Sequence, residues 1–187
     1  MIILGVDPGT LITGYGVVKA KGTSVSVLDV GVIASRASES MPLRLRRIYA
    51  ELCKVIEKFH PDELAIETAF YSKNAQSALK IGQARGVLIL AGVNFEVPIT
   101  EYSPREIKKS VVGNGAASKE QVQFMMKNLL HLAVIPKHFD ATDALAVAVC
   151  HSHRILRPRS AFKSWESFVD AHPERVVKNN DKSKRKN

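Results

Sequence analysis

The sequence predicts an α/β fold, a sheet of short strands covered by amphipathic helices, and three observations lead there. The N-terminal run Ile2-Ile3-Leu4-Gly5-Val6-Asp7 is apolar on both alternating faces until its last residue, the pattern of a central strand buried on both sides. Two β-branched segments, residues 14–19 and 24–35, follow it closely. Beyond them, helical periodicity alternates with short apolar runs at residues 63–67 and 97–101. At 187 residues the chain is long enough for one domain with a substantial core.

Each element has its own signal. The first strand presents Asp7 at its carboxyl end, and Pro8-Gly9 breaks it at once. Ligands of open α/β sheets bind near the carboxyl ends of strands, although an Asp before Pro-Gly is also a common turn former. Short connections make the first three strands an antiparallel meander. Leu45, Ile48, Leu52, Val55, Ile56 and Phe59 recur at helical spacing, and Pro61 ends that helix. Arg44, Arg46, Arg47 and Lys54 lie outside its apolar stripe, which reads as a solvated face before it reads as a nucleic-acid contact. Residues 63–67 form a strand ending on a second carboxylate, Glu67, with Phe70 and Tyr71 in the loop that follows.

Asn74 caps a long helix running through Ala91. Its face bearing Ala78, Gly82, Gly86 and Ile89 is mostly small. A glycine inside a helix costs roughly 1 kcal/mol against alanine, so this pair points to another backbone close by, either the domain's own sheet or a partner helix. Residues 97–101 make a fifth strand, shortened by Pro98. Ser103 and Glu106 form a capping box opening a helix that ends near Gly113. Ser118 caps the next helix, residues 119–130. From Pro136 an Ala-rich segment predicts a helix to about His153, with Asp140 and Asp143 on one face of its first turn, where the dipole favours negative charge. Phe162, Trp165 and Phe168 recur every three residues and suggest a short docking helix. From Pro173 onward the composition predicts disorder. The expected organisation is therefore a domain at 1–157 and a tail at 158–187.

Charge narrows the function. The chain carries a net +9. Residues 171–187 hold six basic and two acidic side chains, so the remainder keeps about half of the excess. A basic folded surface fits nucleic acid or another polyanion, or is simply basic. No stretch is apolar enough to span a bilayer, residues 87–93 being the greasiest, and the N-terminus lacks the pattern of a secretory signal. Cys53 and Cys150 sit within helices without metal-ligand spacing, as buried thiols in a reducing cytoplasm would. His138, His151 and His153 have no zinc-motif companions. Phosphate-binding glycine loops and nucleophile elbows are absent from the sequence.

The carboxylates carry the chemistry. Asp7 and Glu67 end two strands, and Asp140 and Asp143 share the start of a helix that can pack against those ends. Hard divalent cations prefer oxygen ligands. Two Mg2+ ions about 3.5–4 Å apart can clamp the attacking and leaving oxygens of phosphoryl transfer. Two such ions also offset the repulsion among the acids, so that no acid needs an unusual pKa. Any one of these acids is explained by a strand end or a helix N-terminus; all of them together, in a basic protein, are not. Lys108, Lys109 and Lys119 flank the loop Gly113-Asn114-Gly115, positioned to hold phosphates or to be ordinary surface lysines. Phe70 and Tyr71 suit either base stacking or core packing.

Taken in order, these residues resemble the RuvC family of Holliday junction endonucleases, within the ribonuclease H-like superfamily. The resemblance rests on Gly5-Val6-Asp7-Pro8-Gly9, Ala65-Ile66-Glu67 with Phe70, Lys73-Asn74, Gln83-Ala84-Arg85-Gly86, Val111-Val112-Gly113 and residues 140–146, and it runs from Met1 to about His153. It implies a ribonuclease H-like fold with a mixed five-stranded sheet flanked by helices, and a homodimer with two active sites. It assigns Asp7, Glu67, Asp140 and Asp143 to two Mg2+ ions per site, with Mn2+ as a substitute. It assigns four-way junction DNA contacts to Phe70, Lys73, Lys108 and Lys119, with Tyr71 and Lys109 beside them. It implies paired symmetric nicks in homologous recombination and DNA repair, and a branch-migration motor complex as a further partner. The position of Asp140 can be His in that family. An inactive junction-binding or scaffold protein of the same fold is the alternative. An actin-like ATPase, suggested by Asp7-Pro8-Gly9-Thr10, would need two such domains, and the chain is too short for that.

Overall fold

Strand β1 (Ile2–Asp7) runs through the middle of the sheet, as its two apolar faces require. The computed structural model describes residues 1–68, 75–156, 165–171 and 173. The chain divides into two compact units, Met1–Leu156 and Arg157–Asn187. In the second unit the described helix is α6 (Trp165–Ala171); Phe162 lies outside the described residues, as does the whole chain beyond Pro173.

Strands β2 (Ile12–Lys21) and β3 (Ser24–Ala34) complete the expected meander, both antiparallel to their neighbours. β2 outruns its apolar core at both ends because β3 supplies partners from Ile12 to Lys21. Helix α1 (Met41–Phe59) then returns the chain to β4 (Glu63–Glu67), which lies parallel to β1. Helix α2 (Ala75–Asn94) leads to β5 (Ile99–Tyr102), parallel to β4. β5 begins two residues later than the sequence suggests. Pro98 lacks an N–H, so regular pairing starts at Ile99 while the Pro98 carbonyl still accepts from Leu64 N. The result is a mixed five-stranded sheet in the order β3-β2-β1-β4-β5.

Three helices follow: α3 (Pro104–Val112), α4 (Lys119–Leu129) and α5 (Phe139–Leu156). Capping boxes open α3 at Ser103 with Glu106 and α4 at Ser118 with Gln121. Gly113 closes α3 in the left-handed region at φ 82°. The helices sandwich the sheet. Leu4, Val6, Leu64 and Ile66 point to one face and pack with Ile48, Leu52 and Ile56 of α1 and Ala84 and Leu88 of α2. Ile3 and Ala65 point to the other face, with α5 and the inner sides of α3 and α4. Of the two cysteines, Cys150 is buried and Cys53 only partly so, a correction to the expectation that both are buried.

One feature of this packing fixes the positions of the acids. Gly5 and Gly16 are direct cross-strand partners, and Gly14 pairs with Asp7. A Cβ added at Gly14 would collide with the Asp140 carbonyl oxygen, and one at Gly5 would meet the Ala144 carbonyl and lie 2.6 Å from Ala148 N. At Gly16 the nearest atom would be a methyl carbon of Leu145, 2.8 Å away. These glycines give α5 a seat directly on the sheet backbone. The alanines of α5 complete the close approach, and Ala144, Leu145, Ala146, Val147 and Ala148 are fully buried.

Gly14→Ala should therefore lower unfolding stability by about 3 kcal/mol, measured by urea denaturation. Gly16→Ala should cost less, because its nearest contact is the movable end of the Leu145 side chain and the helix backbone, at Leu145 N, stands 3.0 Å away instead of in direct collision.

Candidate active site

Asp7 and Glu67 reach the same end of the sheet because β1 and β4 are parallel and in register. α5 crosses above that end with its N-terminal half. Asp143, one turn into the helix, thereby reaches the strand ends, with Asp140 in the turn before it. α3 and α4 close the sides. Together they enclose a pocket of about 160 Å3 lined by Asp7, Glu67, Asp143, Lys108, Lys119, Pro104, Ile107 and Val122. Asp140 is not in the pocket wall, but its charge acts on Asp7.

The electrostatics are those of a crowded acid cluster. Burial, then the charges of Glu67, Asp143 and Asp140, push the Asp7 carboxyl well above its usual range; Lys119 opposes them. Glu67 is pushed up to about 7, first by burial and then by Asp143, with Lys119 and Lys108 pulling it back. The expectation that no acid needs an unusual pKa is thus corrected for the chain by itself. The charges that raise these values come from elements distant in sequence, Glu67 of β4 acting on Asp7 and Asp143 and Asp140 brought in by α5.

Lys119 is the best-tied cation in the pocket. Its Nζ donates to Asp143 Oδ2 at 2.9 Å. Burial lowers the Lys119 pKa, but the bond and the charges of Asp143, Asp7 and Asp140 outweigh it and raise the value on balance. Lys108 lines the same pocket. Lys109, on the same helix, is exposed and outside the pocket lining. Phe70, Tyr71 and Lys73 lie outside the described residues, as does the cap residue Asn74.

Sequence reasoning missed a buried link behind the site. Tyr102 at the end of β5 shares a 2.7 Å hydrogen bond with His151 Nδ1 on α5. The Tyr102 carbonyl accepts from Thr68 N at 2.7 Å and from Thr68 Oγ1 at 3.1 Å, holding the residue next to Glu67. Burial, then Arg154, lowers His151 to about 4, so the ring is neutral at physiological pH. The sequence signal for it was only a histidine on an apolar helix face.

The donor set suits hard divalent cations. Every acidic group is a carboxylate, and Asp7 and Glu67 carry a charge the surroundings do not fully balance. Among the described residues no three acid, His or Cys side chains converge as a preformed cage, and Asp143 is turned to Lys119.

The raised pKa values set a pH dependence. A carboxyl whose folded pKa exceeds its unfolded one contributes stability at low pH that is lost as pH rises through the folded value. For Glu67 that loss falls between pH 4.5 and about 7. Metal-free Glu67→Gln should be more stable than the natural chain at pH 8, with the difference shrinking as pH falls below about 7, as thermal melts across that range would reveal.

A family model described as crossover junction endodeoxyribonuclease RuvC matches residues 3–151. A protein of that name from Cytophaga hutchinsonii is 45% identical over 94% of this chain and 88% of its own length. One from Photorhabdus laumondii is 51% identical over 81% of this chain and 87% of its own length. Among solved structures, Thermus thermophilus RuvC in complex with Holliday junction substrate superposes with a TM-score of 0.79 at 32% identity, covering 83% of this chain and 95% of that one. The yeast mitochondrial Holliday junction resolvase Ydc2 shares the fold, with a TM-score of 0.59 at 15% identity over 80% of this chain and 77% of that one. The acid-ended parallel strands, the helix seated over them and these matches lead to one conclusion: the chain belongs to the RuvC family.

Proposed function

We infer that this chain is a DNA endonuclease that resolves four-way junctions by paired symmetric nicks, in homologous recombination and DNA repair. The observation that carries the reading is the acid cluster held beneath α5 at the ends of β1 and β4, in a basic chain of this family. Asp7, Glu67, Asp143 and Asp140 are the proposed ligands of two Mg2+ ions, which Mn2+ can replace. When held there, such ions would supply Lewis acidity to an attacking water and to the departing 3′-oxygen for in-line hydrolysis of the phosphodiester.

The residues of the chain do the rest. Asp7 and Glu67, fixed by the sheet, define where the reacting phosphate sits. Lys108 and Lys119 face it from the pocket wall and neutralise its charge, and Lys109 meets the backbone further out. Phe70, Tyr71 and Lys73 follow Glu67 directly in sequence and are proposed to contact the junction where its strands part. The basic tail beyond the folded domain, which we place at 1–157, adds sequence-independent attraction to phosphates. Among the described residues no helix is long and apolar enough to cross a membrane. The reading places the chain in the cytoplasm, beside a branch-migration motor.

Two coordinated nicks require two sites, and α2 offers the surface for a homodimer. Gly82 and Gly86 do not pack on the chain's own sheet: both are exposed, and a Cβ on either would meet nothing within 4 Å. The sheet is met instead by Ala84, Leu88, Ala91 and Gly92. Leu79, Leu90 and Val93 join the glycines in one outward stripe, with Leu79 71% exposed.

A labelled four-way junction, with linear duplex as the comparison, tests the activity. Cleavage should require a divalent cation, and Asp7→Asn should abolish it, at least about 1000-fold, while junction binding stays. A variant that still cuts at the natural rate would remove Asp7 from the mechanism. Sedimentation tests the assembly: the natural chain should be a dimer at micromolar concentration, and Leu79→Glu a folded monomer.

A further inference from the structure

Lys119 stands where local helix physics gives it no reason to stand. It is the first residue of α4, where the helix dipole favours an anion and disfavours a cation. The capping box that starts the helix is made by Ser118 and Gln121, not by Lys119. Its ammonium is spent across the chain instead, on Asp143 at 2.9 Å, where the acid is 15% exposed and the lysine side chain 58%. The lysine thus reaches into the acid cluster from a partly solvated position, free to swing out along its flexible stem. Lys108 lines the same pocket but acts on Glu67 through space, with no ion pair among the described residues.

We propose that Lys119 is the resident counter-ion of the acid cluster: it holds Asp143 in the metal-free chain and must release that carboxylate before a divalent cation can bind there. The inference rests on the metal reading given above. Four carboxylates folded together without a cation would repel one another, and the ammonium relieves that repulsion while the site is empty. Metal binding then displaces a cation already paired, which lowers the apparent metal affinity of the free protein. The released ammonium becomes available to an anionic substrate at the moment the site is loaded.

The test is calorimetric titration of Mn2+ into the full chain without DNA, for the natural protein, Lys119→Met and Lys108→Met. Lys108→Met reports what the loss of one pocket charge does by field alone at Glu67, the acid on which both lysines act. Displacement predicts that Lys119→Met binds Mn2+ at least about fivefold tighter and Lys108→Met less than about twofold. Equal tightening in the two, or none in Lys119→Met, overturns the proposal. Should Lys119→Met fail to fold, the natural chain decides by nitrogen-15 NMR of its lysine ammonium groups. The Lys119 signal, slowed in proton exchange by its bond to Asp143, should be lost or shifted as Mg2+ saturates the site, and an unchanged signal overturns the idea. A titration in which the natural chain and Asp7→Asn both show no binding heat would remove the metal reading itself, and this inference with it.

Discussion

Gly5, Gly14 and Gly16 leave a strip of bare backbone on one face of the sheet, and the backbone of α5 lies in it. Everything at the site depends on that contact. A helix seated on glycines comes closer to a sheet than one packed on side chains, and its acids come down with it. The alanines of α5 serve the same end from the other side. Asp140 sits with its carbonyl against Gly14, whose strand partner is Asp7. The close packing therefore sets the distance between the helix acids and the strand acids.

That closeness has an electrostatic cost. Asp7 and Glu67 are half-buried and mutually repelling, and both carboxyls are raised. Such a cluster persists because the rest of the fold is stable enough to hold it. The link from His151 through Tyr102 to Thr68 ties α5, β5 and the end of β4 together behind the acids. Lys119 supplies part of the missing positive charge from α4. The arrangement is one in which stability is given up locally so that cations have a reason to bind, the usual signature of a functional site rather than a structural ion-pair network.

Much of this was legible in the sequence, for physical reasons that can be named. β1 declared itself by being apolar on both faces, and the helices α3 and α4 by local capping chemistry at Ser103 and Ser118. Asp7, Glu67 and Asp143 could be grouped because strand ends and helix starts are local features, and the fold brings the three into one pocket. What could not be read was whatever depends on residues distant in the chain. The glycines of β1 and β2 looked like strand or turn residues until α5 was laid on them. The direction faced by Gly82 and Gly86 was open, because a stripe of small residues does not say what approaches it. The Lys119–Asp143 bond joins residues on separate helices, and no periodicity encodes it. The raised acids follow from the same non-local assembly.

The glycine seat also bears on how this protein can change over generations. At Gly92 the obstacles to a larger residue are side chains, Leu64 and Ile99, and at Gly16 the nearest is the Leu145 side chain, with the Leu145 main-chain N 3.0 Å away. Smaller residues at those partners can restore the fit, so such positions can drift in compensated pairs. At Gly14 and Gly5 the obstacle is main chain, the carbonyls of Asp140 and Ala144. No substitution elsewhere can make a carbonyl smaller. A suppressor screen begun from a damaged Gly14 should recover mostly true revertants, while one begun from Gly16 should recover second-site partners as well. The acids carry the chemistry, yet Gly5 and Gly14, which have no side chain at all, are held in place by the main chain of α5.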